Sequence, residues 1–116
     1  MKTLLIATTL CVAQLGAAEK GFTPLFNGKD TSGWQGIEGP NTNWVAKDGI
    51  LSCTGRMGSQ WIATKKEFSN FDLRLEYKIP TDGNSGVFIR APKEGNPWVT
   101  GLEIQVLDDY GPKWKD

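Results

Sequence analysis

Apolar and polar residues alternate with a period of two along much of the chain, which is the pattern of strands that bury one face. The clearest alternation covers residues 71–79, where every second residue is apolar and the residues between are charged. A second covers residues 102–106 and predicts that Leu102, Ile104 and Val106 face a core. Glu103 and Gln105 then share the opposite face, as a solvated strand surface or as part of a binding site.

Shorter apolar segments separated by turn residues extend the same pattern. They predict strands at residues 22–26, 44–47, 50–53, 61–64 and 85–90. Asp48-Gly49 is a strong two-residue hairpin signal between two of them. No stretch of helical period follows residue 18, and the strands are short and closely turned. Six or seven such strands predict an all-β antiparallel sandwich or jelly roll.

The N-terminus has the features of a secretory signal peptide. A positive start is followed by an apolar run at residues 4–15 and by the small residues Gly16, Ala17 and Ala18. This pattern predicts a signal peptide at residues 1–18 and a secreted or periplasmic protein that begins at Glu19. The run is too short to span a bilayer, so no membrane span is expected after cleavage. Residues 19–116 are then the folded part.

Composition excludes several kinds of chemistry. The chain has no His, which rules out a Ser–His or Cys–His nucleophile pair and a His-rich zinc site. Loss of Cys11 with the signal peptide leaves Cys53 without a disulfide partner, and its apolar setting predicts a buried core residue. The 13 basic residues balance the 13 acidic ones, so neither nucleic acid nor anionic membrane is an expected partner.

The C-terminal residues 111–116 follow a strong strand without a further closing element. A broad sheet needs a partner sheet of similar width, and the predicted strands are too few to supply one. We therefore expect a C-terminally truncated sandwich.

Five sequence blocks resemble the secreted 3-keto-disaccharide hydrolase family, in the family's order. The blocks are GFTPLFNGKD at 21–30 followed by SGW at 32–34, WVAKDGIL at 44–51, FDLRLEYKIP at 71–80, GNSGVFIR at 83–90 and GLEIQVLDD at 101–109. Thr31 departs from the usual aliphatic residue without a consequence for chemistry. The family domain is about twice as long, so the resemblance covers roughly its N-terminal half.

This resemblance implies a concanavalin A-like jelly roll whose concave face holds sugar. It also implies a reaction on glycosides that are already oxidised to a ketone at C3. Such a ketone acidifies the C2 proton, so a base can remove it and the C1 aglycone can leave by elimination before water adds back. The paired carboxylates of ordinary glycosidases are not required. A lectin-like module that binds glycan without chemistry is the alternative, because fold alone does not separate the two.

Glu103 is the candidate catalytic base, or a ligand for sugar or a divalent cation. Gln105 shares its face and is expected to bridge sugar hydroxyls. Asp108 follows the strand and is a second candidate sugar or cation ligand, with a satisfied turn residue as the alternative. Arg90 is the candidate to stabilise an enolate oxygen, and a surface or Glu-paired Arg is its alternative.

Further candidate substrate-binding residues come from charge and aromaticity. Arg74 and Glu76 share one face, where they either pair with a neighbouring strand or line the same face as Glu103. Trp98, in a loop flanked by proline, is the best candidate to stack on a pyranose ring. Trp34 and Trp44 are expected to pack in the core.

Overall fold

A computed structural model describes residues 18–55 and 61–115. The predicted signal peptide lies almost entirely outside these residues. They form six strands and no helix, which confirms the all-β prediction. The strands are β1 (Trp34–Gly36), β2 (Trp44–Lys47), β3 (Ile50–Cys53), β4 (Ile62–Thr64), β5 (Asn84–Ile89) and β6 (Leu102–Leu107). The part of the chain described contains no helix long and apolar enough to cross a membrane.

The strands pair antiparallel into three separate two-stranded sheets, β1–β4, β2–β3 and β5–β6. The β2–β3 pair is the predicted hairpin. Its turn residues Asp48 and Gly49 both have positive φ, 50° and 76°, as a two-residue type I′ turn requires. Glycine adopts this conformation without strain and Asp is among the residues that tolerate it, so the local sequence dictates this turn.

The β5–β6 pair is the largest sheet and sets the geometry of the site. Its register places Phe88 opposite Glu103 and Gly86 opposite Gln105. Because side chains alternate between the two faces of a strand, one face of this sheet is apolar and the other carries the polar candidates. The polar face presents Asn84, Gly86, Phe88, Glu103 and Gln105, and the apolar face presents Val87, Ile89, Ile104 and Val106.

Two predicted strands do not form. Residues 22–26 are irregular, because Pro24 in their middle has no N–H to give to a ladder. Residues 71–79 have no backbone ladder with any described residue, so the most regular alternation in the sequence is not a strand here. Four of its side chains instead line an open, mostly apolar groove of about 640 Å³ together with the apolar face of β5 and β6, namely Phe71, Leu73, Leu75 and Tyr77.

Burial is lower than the sequence predicted. Val106 is buried, whereas Leu102 and Ile104 are 63% and 50% exposed, so only one of the three predicted core residues is inside. Cys53 is exposed, contrary to the predicted core position, because β3 has β2 as its only ladder partner in the described part of the chain. Trp34 and Trp44 are half-buried. Two-stranded sheets without a second layer cannot bury both of their faces.

A polar turn at residues 27–32 gives the chain a strongly acidic carboxyl group. The backbone N–H of Ser32 and the side-chain Nδ2 of Asn27 both donate to Asp30 Oδ1, each at 2.8 Å. Hydrogen bonds from Ser32 and Asn27 lower the pKa of Asp30 from 3.8 to about 2. Since the folded state has the lower pKa, this contribution to stability is present above pH 3.8 and disappears as the pH falls through about 2.

Asn27→Ala should raise the pKa of Asp30 toward its ordinary value, because it removes one of the donors that favour the charged form. The pH dependence of the Asp30 carboxyl ¹³C resonance measures this pKa. Lys29→Ala is the control, since Lys29 contributes the smallest of the shifts at Asp30. Equal titration curves for wild type and Asn27→Ala would contradict the assignment.

Candidate functional site

An open cleft of about 320 Å³ lies over the polar face of the β5–β6 sheet. Three aromatic residues and one acidic residue line it, and residues 84–86 at the start of β5 complete the lining. The lining residues are Trp61, Asn84, Ser85, Gly86, Phe88, Trp98 and Glu103. Small-ligand sites in proteins combine apolar walls with a few polar groups in the same way.

The aromatic wall of the cleft consists of Trp61, Phe88 and Trp98. Trp61 lies between the other two and contacts each edge to face, with ring centroids 5.3 Å from Phe88 and 5.2 Å from Trp98. Trp98 is 49% exposed. Its neighbour Pro97 is fully buried and accepts a hydrogen bond from Gly101 N–H at 2.9 Å, which fixes the turn that presents the Trp98 ring.

Glu103 contributes the carboxylate of the cleft. Its side chain extends across β5 above Gly86, the diagonal neighbour of Glu103 in the sheet. Within residues 18–55 and 61–115, no donor hydrogen-bonds this carboxylate and no cation pairs with it. Its lone pairs are therefore available to a ligand that enters the cleft.

Gln105 lies two residues after Glu103 on the same face of β6 and holds residues of the cleft lining in place. Its Nε2 donates to Asn84 Oδ1 at 2.6 Å and to the backbone carbonyl of Ser85 at 3.2 Å. Both acceptors belong to residues that line the cleft. The sequence predicted that Gln105 binds sugar hydroxyls, whereas its donor group is here directed at the cleft lining. It fixes the Asn84 side chain, whose amide can then face a ligand.

Asp108 lies beyond β6 and holds a turn together. Its Oδ2 accepts the backbone N–H of Asp82 at 2.9 Å, and its own N–H donates to the Gly83 carbonyl at 3.1 Å. Asp82 in turn accepts the Lys113 N–H at 2.8 Å and, through its carbonyl, Trp114 Nε1 at 3.0 Å. This network joins the start of β5 to the chain after β6, which is the turn role considered for Asp108 from the sequence.

Asp108→Ala should lower the free energy of unfolding by about 1–3 kcal/mol, because it leaves the half-buried Asp82 N–H without its charged acceptor. Urea denaturation measures the change. Asp108→Asn is the matched control, since its amide oxygen can still accept this bond and most of the stability should remain. Equal stability of the Ala variant and wild type would show that the turn does not depend on this contact.

The structure places the other charged candidates away from the cleft. Arg74 forms ion pairs with Glu19 and Asp72 at 2.6 and 3.1 Å, and its guanidinium lies 4.2 Å from the centroid of the Phe22 ring. Hydrogen bonds to Glu19 and Asp72 raise the pKa of Arg74.

Arg90 and Glu76 do not line the cleft either. Arg90 follows β5 with a φ of 57° and donates to the Ser69 carbonyl at 3.0 Å. Glu76 lies in the segment 71–79 and is exposed. Of the residues predicted to share a site, the structure brings Glu103 and Trp98 to one cleft, with Gln105 behind it.

Glu103 lines the cleft, whereas Asp108 holds the turn beyond β6, so the two candidate cation ligands lie in different parts of the structure. Among the described residues, no group of three His, Cys, Asp or Glu side chains could hold a metal ion.

Sequence reasoning missed Trp61, Phe88 and Gly86 as lining residues. Alternation along β5 puts Phe88 and Gly86 on the face opposite Val87, a signal that was readable from the sequence. Which residue of β5 lies opposite Glu103 depends on the register between β5 and β6. Residues 90–101 connect these strands, and no local sequence pattern specifies that register. Trp61 reaches the cleft from outside this sheet, through a tertiary contact.

The cleft of this all-β protein combines one aromatic wall with a carboxylate that no described group pairs with. Such a cleft suits a small ligand that has both apolar faces and polar groups, as sugars have. Residues 21–116 match the family described as the 3-keto-alpha-glucoside-1,2-lyase-like domain, and the chain belongs to this family. The resemblance noted from the sequence is thereby confirmed.

A curated relative gives the family match a second support. The 3-keto-disaccharide hydrolase of Bacteroides thetaiotaomicron is 29% identical in an alignment that covers 83% of this chain and 40% of the relative. The chain thus spans less than half of that relative's length. No solved structure was found to match the chain.

Proposed function

We propose that this chain is the N-terminal part of a secreted or periplasmic enzyme that cleaves 3-keto-glycosides. The observation that carries the proposal is the unpaired Glu103 carboxylate in an aromatic cleft, in a chain of this family. The name of the Bacteroides thetaiotaomicron relative, a 3-keto-disaccharide hydrolase, supports the substrate class. The signal-like residues 1–18 support export.

Glu103 is the proposed base for the C2 proton of the sugar. The C2–H bond breaks toward the carboxylate, and its electron pair delocalises onto the C3 oxygen as an enolate. The pair then forms the C1=C2 double bond as the C1–O bond breaks, and the departing aglycone oxygen takes a proton. Water later adds across C1=C2, so the net reaction is hydrolysis. One positioned base suffices for the first step.

The aromatic wall is the proposed binding surface for the pyranose ring. Trp98 lines the cleft and is half-exposed, and Trp61 contacts its ring edge to face. An aromatic ring packs well against the apolar C–H face of a sugar, and the ring edges leave the hydroxyl groups free. The Asn84 amide, fixed by Gln105, is the proposed partner for one hydroxyl.

The concanavalin A-like sandwich is also part of the proposal. The apolar groove along residues 71–79 and the exposed Ile104 form a surface of the kind that a second sheet covers. In the whole domain, such a layer would bury the faces of Phe71, Leu73 and Leu75 that are now exposed. The C-terminal part of the domain would then supply the layer and any further site residues.

A lectin-like module is the alternative, and one experiment separates it from the enzyme. The full-length gene product that carries this chain is incubated with an aryl 3-keto-glucoside, with and without added divalent cations. Release of the aglycone together with an unsaturated 3-keto sugar or 3-keto-glucose is the expected result. The matched substrate without the ketone should not react, because its C2 proton is not acidic. Binding without product over hours would leave only the lectin-like function.

A further inference from the structure

Gly86 occupies the middle of β5, opposite Gln105 and diagonal to Glu103. Its φ is not in the left-handed region, unlike the φ of Gly49 or Gly95. The backbone at Gly86 therefore suits any L residue, and conformational freedom does not explain a glycine there. A glycine inside a strand often marks a position where another group approaches closely.

The group that approaches Gly86 is the Glu103 side chain. A Cβ atom at position 86 would overlap Glu103 Oε1 and would lie 2.8 Å from its Cγ and 2.9 Å from its Cδ. The Glu103 side chain thus occupies the space that a side chain at position 86 would take. The steric contact is thus between the Glu103 side chain on β6 and position 86 on the neighbouring strand β5.

We propose that Gly86 is a positioning residue for Glu103. Its missing side chain lets the Glu103 carboxylate lie across β5, on the floor of the cleft between the aromatic wall and Asn84. This inference rests on the proposed function for its catalytic consequence. It adds that the position of the base depends on space left by the neighbouring strand, since no described group hydrogen-bonds the carboxylate.

A methyl group at position 86 should move the carboxylate and leave the fold intact. Glu103 is exposed and its side chain has several staggered rotamers, so it can rotate away from a new Cβ without disturbing the backbone. A displacement of the base by about 1 Å can reduce turnover about 100-fold. Trp61 and Trp98 lie outside β5, so a methyl group at position 86 leaves these two rings of the aromatic wall in place.

The test uses Gly86→Ala in the full-length gene product. We expect kcat on an aryl 3-keto-glucoside to fall about 10- to 100-fold, with KM changed less than about threefold. Gly33→Ala is the matched control, because its new Cβ would meet only the Leu25 carbonyl at an ordinary 3.5 Å. That variant should retain the wild-type kcat.

Two further measurements separate positioning from a general structural effect. In the Glu103→Gln background, Gly86→Ala should have no additional effect on kcat, because the group it displaces is already inactive. The carboxyl ¹³C resonance of Glu103, assigned by its loss in Glu103→Gln, should shift in Gly86→Ala and not in Gly33→Ala.

Additive losses of kcat in the double variant, or an unmoved Glu103 resonance, would overturn the positioning role. If wild type has no turnover at all, the proposed function fails. The ¹³C measurement in the free protein still decides whether Gly86 sets the position of Glu103.

Discussion

Glu103→Gln is expected to reduce turnover of a 3-keto-glucoside by about 100-fold or more, the usual contribution of a positioned general base. The substitution keeps the size and shape of the side chain, and it replaces the group that accepts the C2 proton with one that cannot. Because no described residue pairs with this carboxylate, its loss leaves no partner unsatisfied. Stability and KM should therefore stay close to wild type, and the effect should be confined to kcat.

Glu38→Gln is the matched control for this experiment. Glu38 is exposed and precedes β2, outside the cleft, so the same chemical change there should not alter turnover. A Glu103→Gln variant that keeps kcat within a few-fold of wild type would exclude Glu103 as the base. If such a variant instead loses affinity for the keto-sugar with kcat preserved, Glu103 is a sugar ligand and the base lies in another part of the full-length protein.

The elements that could be predicted from the sequence are those whose signals are local. The β2–β3 hairpin follows from Asp48-Gly49, which fixes both turn type and register within a few residues. The strand at residues 102–106 follows from alternation, and β6 includes it with one residue to spare. The backbone hydrogen bonds of the hairpin lie within a few residues of its turn, whereas β6 bonds to β5 across residues 90–101, so its alternation predicted the strand and not its partner.

The elements that were mispredicted depend on distant partners. Residues 71–79 have the strongest alternation in the chain and no described strand beside them, so a suitable pattern did not suffice. Cys53 and Ile104 have apolar neighbours in sequence and exposed side chains in space, because each belongs to a two-stranded sheet that no second sheet of described residues covers. Alternation shows which face prefers burial, and tertiary contacts decide whether it is buried.

The candidate site divides in the same way. Glu103 was selected because alternation puts it on a non-core face and because its block resembles the family, and both arguments are local. The cleft around it combines β5, β6, Trp61 and Trp98, which are brought together by register and by tertiary contacts. Arg74 is a candidate from the sequence because it shares a predicted strand face with Glu76, and Arg90 because it ends a predicted strand and could stabilise an enolate oxygen. Each has an acceptor outside the cleft, Asp72 in one case and the Ser69 carbonyl in the other.

Trp61→Ala should have the second large effect, on both stability and sugar affinity. Trp61 is half-buried and contacts Phe88 and Trp98 edge to face, so its removal leaves a space between these two rings. Truncating a packed tryptophan costs about 3 kcal/mol of unfolding free energy. Trp98 then loses the ring that holds it, and KM should rise about tenfold, equivalent to about 1.4 kcal/mol. Urea denaturation and steady-state kinetics measure the two effects.

Trp61→Phe and Trp98→Ala separate these two roles of the aromatic wall. The Trp61 Nε1 atom is buried without a hydrogen-bond partner among the described residues, so a phenylalanine loses no polar contact there and should retain most of the stability. Trp98→Ala removes only the half-exposed ring and should raise KM with little change in the unfolding free energy. If Trp61→Ala lowers stability while KM stays at the wild-type value, the aromatic wall is packing alone, and the sugar must bind elsewhere on the full-length protein.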